Sequence, residues 1–358
     1  MSTIILSLVA VILISISVWQ IVKIFEVSNL GKKKDTSQIA NYKDNDLHGK
    51  LMFAFLVFIY LVTIYSFVSY TKVLLPESAS EHGYTYDRLL VISFIVIFIV
   101  QTITQALLHY YTYKFRGIKG RKAAFITHDN KLELVWTVIP AIVLFVLILY
   151  GMSTWSDIMN FDEDEDALVV ELYAAQWNWK ARYSGDDNVL GDANVRFLND
   201  FDGRNIVGID SSDPNGLDDI VVTNEFRLPV DRKVIFKIRS QDVLHSAYMP
   251  HFRAQMNCVP GMITEFSFTP TKTTADMRMN PEVVDKVNRI NKIRYDNSQE
   301  LIAKGEEPLE PYQFDYLLLC AKICGSSHYN MQMKIVVESE KDFNKWLNQQ
   351  NTFSEIIQ

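Results

Sequence analysis

Four uncharged runs dominate the first 150 positions, and they leave few folds open. Met1–Val22 holds 22 residues before Lys23, and Leu51–Thr71 holds 21 between Lys50 and Lys72. Leu89–Tyr113 holds 25 between Arg88 and Lys114, and Leu134–Ser156 holds 23 between Glu133 and Asp157. A bilayer core about 30 Å thick takes about 20 apolar residues of helix, so each run is long enough to cross. Met1–Val22 has neither the basic start nor the small-residue cleavage site of a removable signal peptide, and it reads as a retained helix.

Loop charge sets the orientation. Lys114, Arg116, Lys119, Arg121, Lys122 and Lys131 face only Asp129 in the third connection, which places it in the cytoplasm. Lys32, Lys33 and Lys34 put the first connection on the same side, and the loop Lys72–Arg88 has no such excess. Both termini and everything after the fourth helix then lie outside.

The charge balance changes at the same boundary. Residues 1–150 carry a net +5 and residues 151–358 a net −12. A membrane anchor bearing an acidic soluble domain fits this division. Intrinsic disorder does not, because 49% of the chain is hydrophobic. A nucleic-acid partner does not either, since the soluble half lacks a basic face. The acidic run Asp162–Asp166 reads as a solvated linker.

Beyond it, Leu168–Tyr173, Ile220–Thr223, Lys233–Ile238, Ile263–Phe268, Tyr316–Leu319 and Lys334–Val337 are rich in Val, Ile, Phe and Tyr. Turn residues separate them, as in a β-sandwich or barrel. Ser184–Asp219 reads as loop. Asn280–Lys304 reads as a helix, with Asn280 as cap, Pro281 at the first helical position and Gly305 as stop. Val283, Val287 and Ile290 mark its apolar face.

The strongest chemical signal is Cys320-Ala-Lys-Ile-Cys324-Gly-Ser-Ser-His328-Tyr-Asn-Met331. Two thiols, an imidazole and a thioether favour copper, or zinc where the geometry is tetrahedral. The spacing is unlike the C-x₂-C of structural zinc sites, and no C-x-x-C-H run attaches a haem. One cysteine with imidazole suggests a mononuclear blue-copper site, and the second suggests two metals bridged by thiolates. A buried cysteine pair, disulfide-bonded outside the cytoplasm, is the non-metal alternative. Such a loop needs a further imidazole. His245, in Asp242-Val-Leu-His245-Ser246 at the end of a predicted strand, is the first candidate and His251 the second. His82, His109 and His128 have no evident partners.

Residues 88–345 resemble subunit II of the haem–copper oxidases, in the cytochrome c oxidase branch that carries the dinuclear copper A centre. The resemblance rests on the run from His128 through Glu133 and Trp136 to Pro140, on Gln176-Trp177-Asn178-Trp179, on Asp242-Val-Leu-His245-Ser246, on Val259-Pro260-Gly261, and on the cysteine loop. It implies a membrane-anchored α+β chain: four transmembrane helices, then a cupredoxin-like β-barrel with a helical insertion at about 280–305. The divisions expected are an extra helix pair at 1–75, the oxidase-type hairpin at 86–157, the copper domain at 168–345 and a tail at 346–358.

The resemblance also implies roles. Cys320 and Cys324 bridge two coppers. His245 and His328 cap one each, Met331 is a weak ligand, and the backbone carbonyl of Lys322 completes the set. Trp177 is the tryptophan that takes up electrons, and Glu133 stands at the cytoplasmic mouth of a proton path. Trp179 packs inside, Asp242 is a supporting or docking carboxylate, and Cys258 is a buried apolar residue. The family's interface magnesium is in doubt, because Lys322 stands where relatives have Glu and Asn257 where they have Asp. An ammonium offers only donors. Arg182 replaces an acidic residue and suggests a rearranged docking patch.

The expected function is the electron-input subunit of a proton-pumping cytochrome c oxidase in the bacterial inner membrane, with the copper domain on the periplasmic side. It would accept electrons from a c-type cytochrome and pass them to haems in subunit I, where oxygen is reduced. The chain itself would hold no haem. Expected partners are subunit I, other oxidase subunits, the cytochrome, lipid, and a cytochrome c reductase touching the extra helices in a supercomplex. A membrane-anchored copper carrier is the alternative. A quinol oxidase subunit would lack the ligand set, and a nitrous oxide reductase would add a histidine-rich propeller.

Overall fold

The structure, a computed structural model, describes residues 2–30, 41–159 and 166–358. Lys32–Lys34 and most of the acidic run at 162–166 lie outside the described residues. Helices α1 (Ser2–Leu30), α2 (Tyr42–Leu74), α3 (Gly83–Lys114) and α4 (Asn130–Met159) come first. The last three are long and apolar enough to cross a membrane. In α1 the apolar stretch so described is shorter, Val9–Phe25, and each of its residues is exposed.

Contacts divide the chain into two units, Met1–Thr71 with Ile95–Trp136, and Lys72–Phe94 with Thr137–Gln358. In the first unit α2 packs on α3. Phe67 meets Phe98 edge-on with centroids 4.7 Å apart, and Phe53 meets Tyr113 at 5.1 Å. Arg116 closes one end on Asp46 at 2.8 Å. Gly49 makes this possible: a Cβ there would lie 2.8 Å from Cδ of Arg116. Lipid offers no hydrophobic gain between helices, so close contact and polar pairing of this kind carry the association.

In the second unit two five-stranded sheets face one another. The first holds β1 (Leu168–Ala175), β2 (Asn178–Tyr183), β3 (Ile220–Val222), β5 (Val234–Ser240) and β8 (Thr264–Phe268), in the order β3-β2-β1-β5-β8. The second holds β4 (Glu225–Pro229), β6 (His245–Met249), β7 (Ala254–Cys258), β9 (Tyr316–Cys320) and β10 (Gln332–Glu338), in the order β4-β10-β9-β6-β7. β1 pairs in parallel with β5, and β4 with β10, so the chain changes sheet between neighbouring strands. Residues alternate inward, as strand geometry requires. Val170, Leu172, Trp179, Phe236 and Ile238 from one sheet meet Phe226, Leu228, Tyr316, Leu318 and Ile335 from the other in one buried core.

All six predicted strand runs are strands. β2, β4, β6 and β7 hold no β-branched residue and were not among the predicted runs, and His245, expected at the end of a strand, begins β6. β4, Glu-Phe-Arg-Leu-Pro, still alternates, with Phe226 and Leu228 inward. The loop 184–219 carries only short turns, among them α5 (Asp200–Gly203). After α6 (Thr274–Met279), the predicted helix is α7 (Pro281–Ala303). Asn280 caps it, accepting from the N–H of Glu282 at 2.9 Å. α8 (Glu340–Leu347) packs Phe343 and Trp346 on Tyr183. α9 (Phe353–Ile357) buries Phe353 beside Tyr173, Val207 and Ile209.

The segment before α3 is tied to this domain. The N–H of Ala79 donates to His251 O at 2.7 Å, and Ala79 O accepts from the N–H of Thr271 at 2.8 Å. Arg253 holds Asp87 with two bonds, at 2.7 and 2.8 Å.

Candidate metal centre

The cysteine loop is the turn of the β9–β10 hairpin. Its neck is closed by the N–H of Cys320 donating to Met331 O at 3.1 Å, and Ala321 donates to Ser246 O at 3.0 Å. The loop is thereby fastened to its own hairpin and to β6, the strand that begins with His245. A one-turn helix, His328–Asn330, returns the chain.

These constraints gather the soft donors. Cys320 Sγ lies 3.8 Å from Cys324 Sγ and 3.8 Å from His245 Nδ1. Cys324 Sγ lies 3.6 Å from His328 Nδ1 and 3.8 Å from Met331 Sδ. The carbonyl of Lys322 lies 3.1 Å from Cys320 Sγ. Both cysteines are free thiols. A sulfur–sulfur distance of 3.8 Å is far from a disulfide and under twice a metal–thiolate bond of about 2.3 Å. One ion can therefore touch both sulfurs, and an ion on either side of the pair can do so equally. Burial pushes the Cys324 thiol up to about 11, helped by its bond to Cys320. Such a thiol is inert until a cation takes the place of its proton.

A supporting layer orients the ligands. His245 is fully buried, and its Nε2 donates to Asp242 Oδ1 at 2.8 Å, which leaves Nδ1 facing Cys320. Burial pushes the Asp242 carboxyl up, but bonds from His245 and from the N–H groups of Gln176 and Val243 outweigh it and hold it below its ordinary range. Trp179 is 1% exposed, as its pattern suggested, and lies edge-on to His245. Trp177 is 38% exposed, in the turn between β1 and β2.

Other expected residues lie elsewhere. His251 does not join the cluster. It sits edge-on to Phe314 and Tyr316, with centroids 5.1 and 5.3 Å away. Cys258 is a fully buried free thiol, pushed up to about 12 by burial. His82 Nε2 lies 3.5 Å from Arg253 O, and His109 sits beside Phe55. Glu133 is exposed in the first turn of α4.

Arg182 corrects an expectation. It does not lie on a docking patch, because its side chain is 3% exposed, held between Glu171 at 2.8 Å and Asp219 at 2.9 Å. Arg239 pairs with Glu171 as well. Burial drives Asp219 up to about 7, against the pull of Arg182. Sequence reasoning missed this quartet, whose members are far apart along the chain.

His245, Cys320 and Cys324 form the one group of three potential metal-binding side chains among the described residues. The donors fit a soft metal. The Lys322 side chain is exposed and offers no acceptor to a cation.

Fold and site together define a membrane-anchored protein with an external cupredoxin-like domain that carries a Cys–Cys–His cluster able to hold a metal ion. The family profile for the transmembrane domain of cytochrome c oxidase subunit II matches residues 72–154, and that for its periplasmic domain matches 168–279. The second match ends where α7 interrupts the domain, ahead of the cysteine loop. The alternative cytochrome c oxidase subunit 2 of Bradyrhizobium diazoefficiens is 31% identical over 277 residues, covering 77% of this chain and 83% of that one. The cytochrome c oxidase subunit 2 of Cereibacter sphaeroides is 22% identical over 288 residues, covering 76% and 77%. A solved periplasmic domain of cytochrome oxidase subunit II from Bradyrhizobium japonicum is 18% identical, with a TM-score of 0.29, covering 51% of this chain and 91% of that one. The chain belongs to the cytochrome c oxidase subunit II family, the electron-input component of haem–copper oxidases.

Proposed function

We propose that the chain takes electrons from a c-type cytochrome at a dinuclear copper centre and hands them to haems in subunit I of a proton-pumping oxidase. The observation that carries this reading is the pair of free thiols 3.8 Å apart, flanked by His245, His328, Met331 and the Lys322 carbonyl. Bound there, two coppers would supply a one-electron couple shared between them. The protein's part is to hold the donors still. The hairpin neck fixes the loop, and Asp242 fixes the tautomer of His245.

Trp177 is the surface point of electron uptake, and Glu133 the cytoplasmic mouth of a proton path. The domain faces the periplasm of a bacterial inner membrane, and α1 with α2 meets a cytochrome c reductase in a supercomplex. A copper carrier without an oxidase partner would need neither Trp177 nor Glu133 in these places.

The test is purification of the native complex with metal analysis and electron paramagnetic resonance. Two coppers per chain with a mixed-valence signal, in a complex containing haem, support the reading. A single copper, bound zinc, or a chain that purifies free of haem-bearing subunits overturns it.

A further inference from the structure

The turn between β1 and β2 has two residues, and both reach the metal loop. The N–H of Gln176 donates to Asp242 Oδ2 at 2.7 Å. Its side-chain Nε2 donates to Cys324 O at 2.6 Å. Asp242 in turn accepts from His245 through its other oxygen, at 2.8 Å. One residue thus joins the two ligand-bearing segments, which are held by different strands. The next residue is Trp177. A Cβ on Gly325 would lie 2.9 Å from its Nε1, 3.0 Å from its Cζ2 and 3.0 Å from Nε2 of Gln176. The indole therefore rests on the backbone that follows Cys324, where φ of +135° and the close approach both require glycine.

We infer that Gln176 is the positioning residue that holds Trp177 in contact with the Cys324–Gly325 backbone, and so sets the rate of electron transfer from the exposed indole to the metal centre. This rests on the reading of Trp177 as the point of electron uptake. The indole is 38% exposed, so part of its surface faces solvent and part faces the loop. Electron tunnelling weakens steeply with each ångström of added gap, so a turn free to swing would slow transfer without disturbing the ligands. The amide suits this task because it donates to a carbonyl. Glutamate would present an acceptor to the same oxygen. The backbone bond to Asp242 survives any side-chain change, which separates the role of the amide from the support of His245.

The experiment uses the assembled oxidase with Gln176→Leu, Trp177→Phe and the double variant. Gln176→Leu is expected to retain copper and its near-infrared band while reduction by cytochrome c slows about tenfold, the scale of a small misplacement. Reduction by dithionite should stay unchanged. The double variant should be no slower than Trp177→Phe alone, because residues acting through one group are not additive. Additive losses, an unchanged cytochrome c rate in Gln176→Leu, or equal slowing with dithionite overturn the inference while leaving Trp177 its role. An unchanged rate in Trp177→Phe overturns both. Gln176→Glu is the second variant, expected to slow similarly. Loss of copper in both Gln176 variants overturns the inference in favour of a purely structural part for this side chain.

Discussion

His245 and Asp242 lie three residues apart, and the imidazole Nε2 donates to the carboxylate at 2.8 Å while Nδ1 faces Cys320 Sγ at 3.8 Å. The carboxylate settles which nitrogen is left for a metal. Asp242→Ala should weaken copper binding about 10–100-fold, the usual cost of losing such a partner, and shift the reduction potential. Competition with a chelator of known affinity measures the first effect, and redox titration the second. Unaltered affinity and potential would show that the hairpin alone orients the ring.

Cys320→Ser and Cys324→Ser should each abolish the proposed paired-copper site, since both sulfurs would be needed to hold two ions. Met331→Leu should keep both coppers and mainly move the potential. Lys322→Ala should keep full copper content, because the ligand proposed there is a carbonyl. Metal analysis beside paramagnetic resonance distinguishes these outcomes.

Arg182 is buried, but Asp242 is exposed and accepts from the N–H of Gln176 at 2.7 Å, so a carboxylate stands beside Trp177. With the net −12 of residues 151–358, this gives a basic cytochrome an attractive face. Cytochrome c-driven turnover should fall as ionic strength rises, because salt screens the steering charge. Stopped-flow rates against salt provide the check, and rates independent of salt would reject acidic steering.

Arg182→Met should destabilise the soluble domain by about 3 kcal/mol, because it leaves Asp219 buried without a cation while Glu171 keeps Arg239. Both carboxylates are almost fully buried, at 3% and 0% exposure. Chemical denaturation followed by tryptophan fluorescence measures the loss. Replacing Arg289, whose pairing with Asp285 is exposed on both sides, should cost well under 1 kcal/mol.

Burial lowers His251 to about 4, with Lys286 and Arg253 adding to the shift. The unfolded chain binds a proton at this position below about 6.5, and the folded chain only below about 4. Stability should thus be full above about 6.5 and decline as pH falls toward 4. His251→Phe should flatten this slope in thermal melts of the detergent-solubilised chain. An unchanged slope would assign the acid sensitivity to other groups.

The sequence by itself determined the parts whose signal is local. The apolar runs 51–71, 89–113 and 134–156 had to become long helices, because a bilayer accepts little else of that length. Asn280 and Pro281 fixed the start of α7, and the spacing from Cys320 to Met331 placed four soft donors within one hairpin turn. Tertiary structure decided what depends on pairing across distance. β6 and β7 hold too few β-branched residues to declare themselves, and they form because β9 and the core lie beside them. Arg182 reads as a surface charge until Glu171 and Asp219 close around it. The sequence motif ranks His245 ahead of His251 but cannot place either ring. Only the register of β6 brings one to Cys320 and leaves the other, beyond the end of that strand, among aromatic rings.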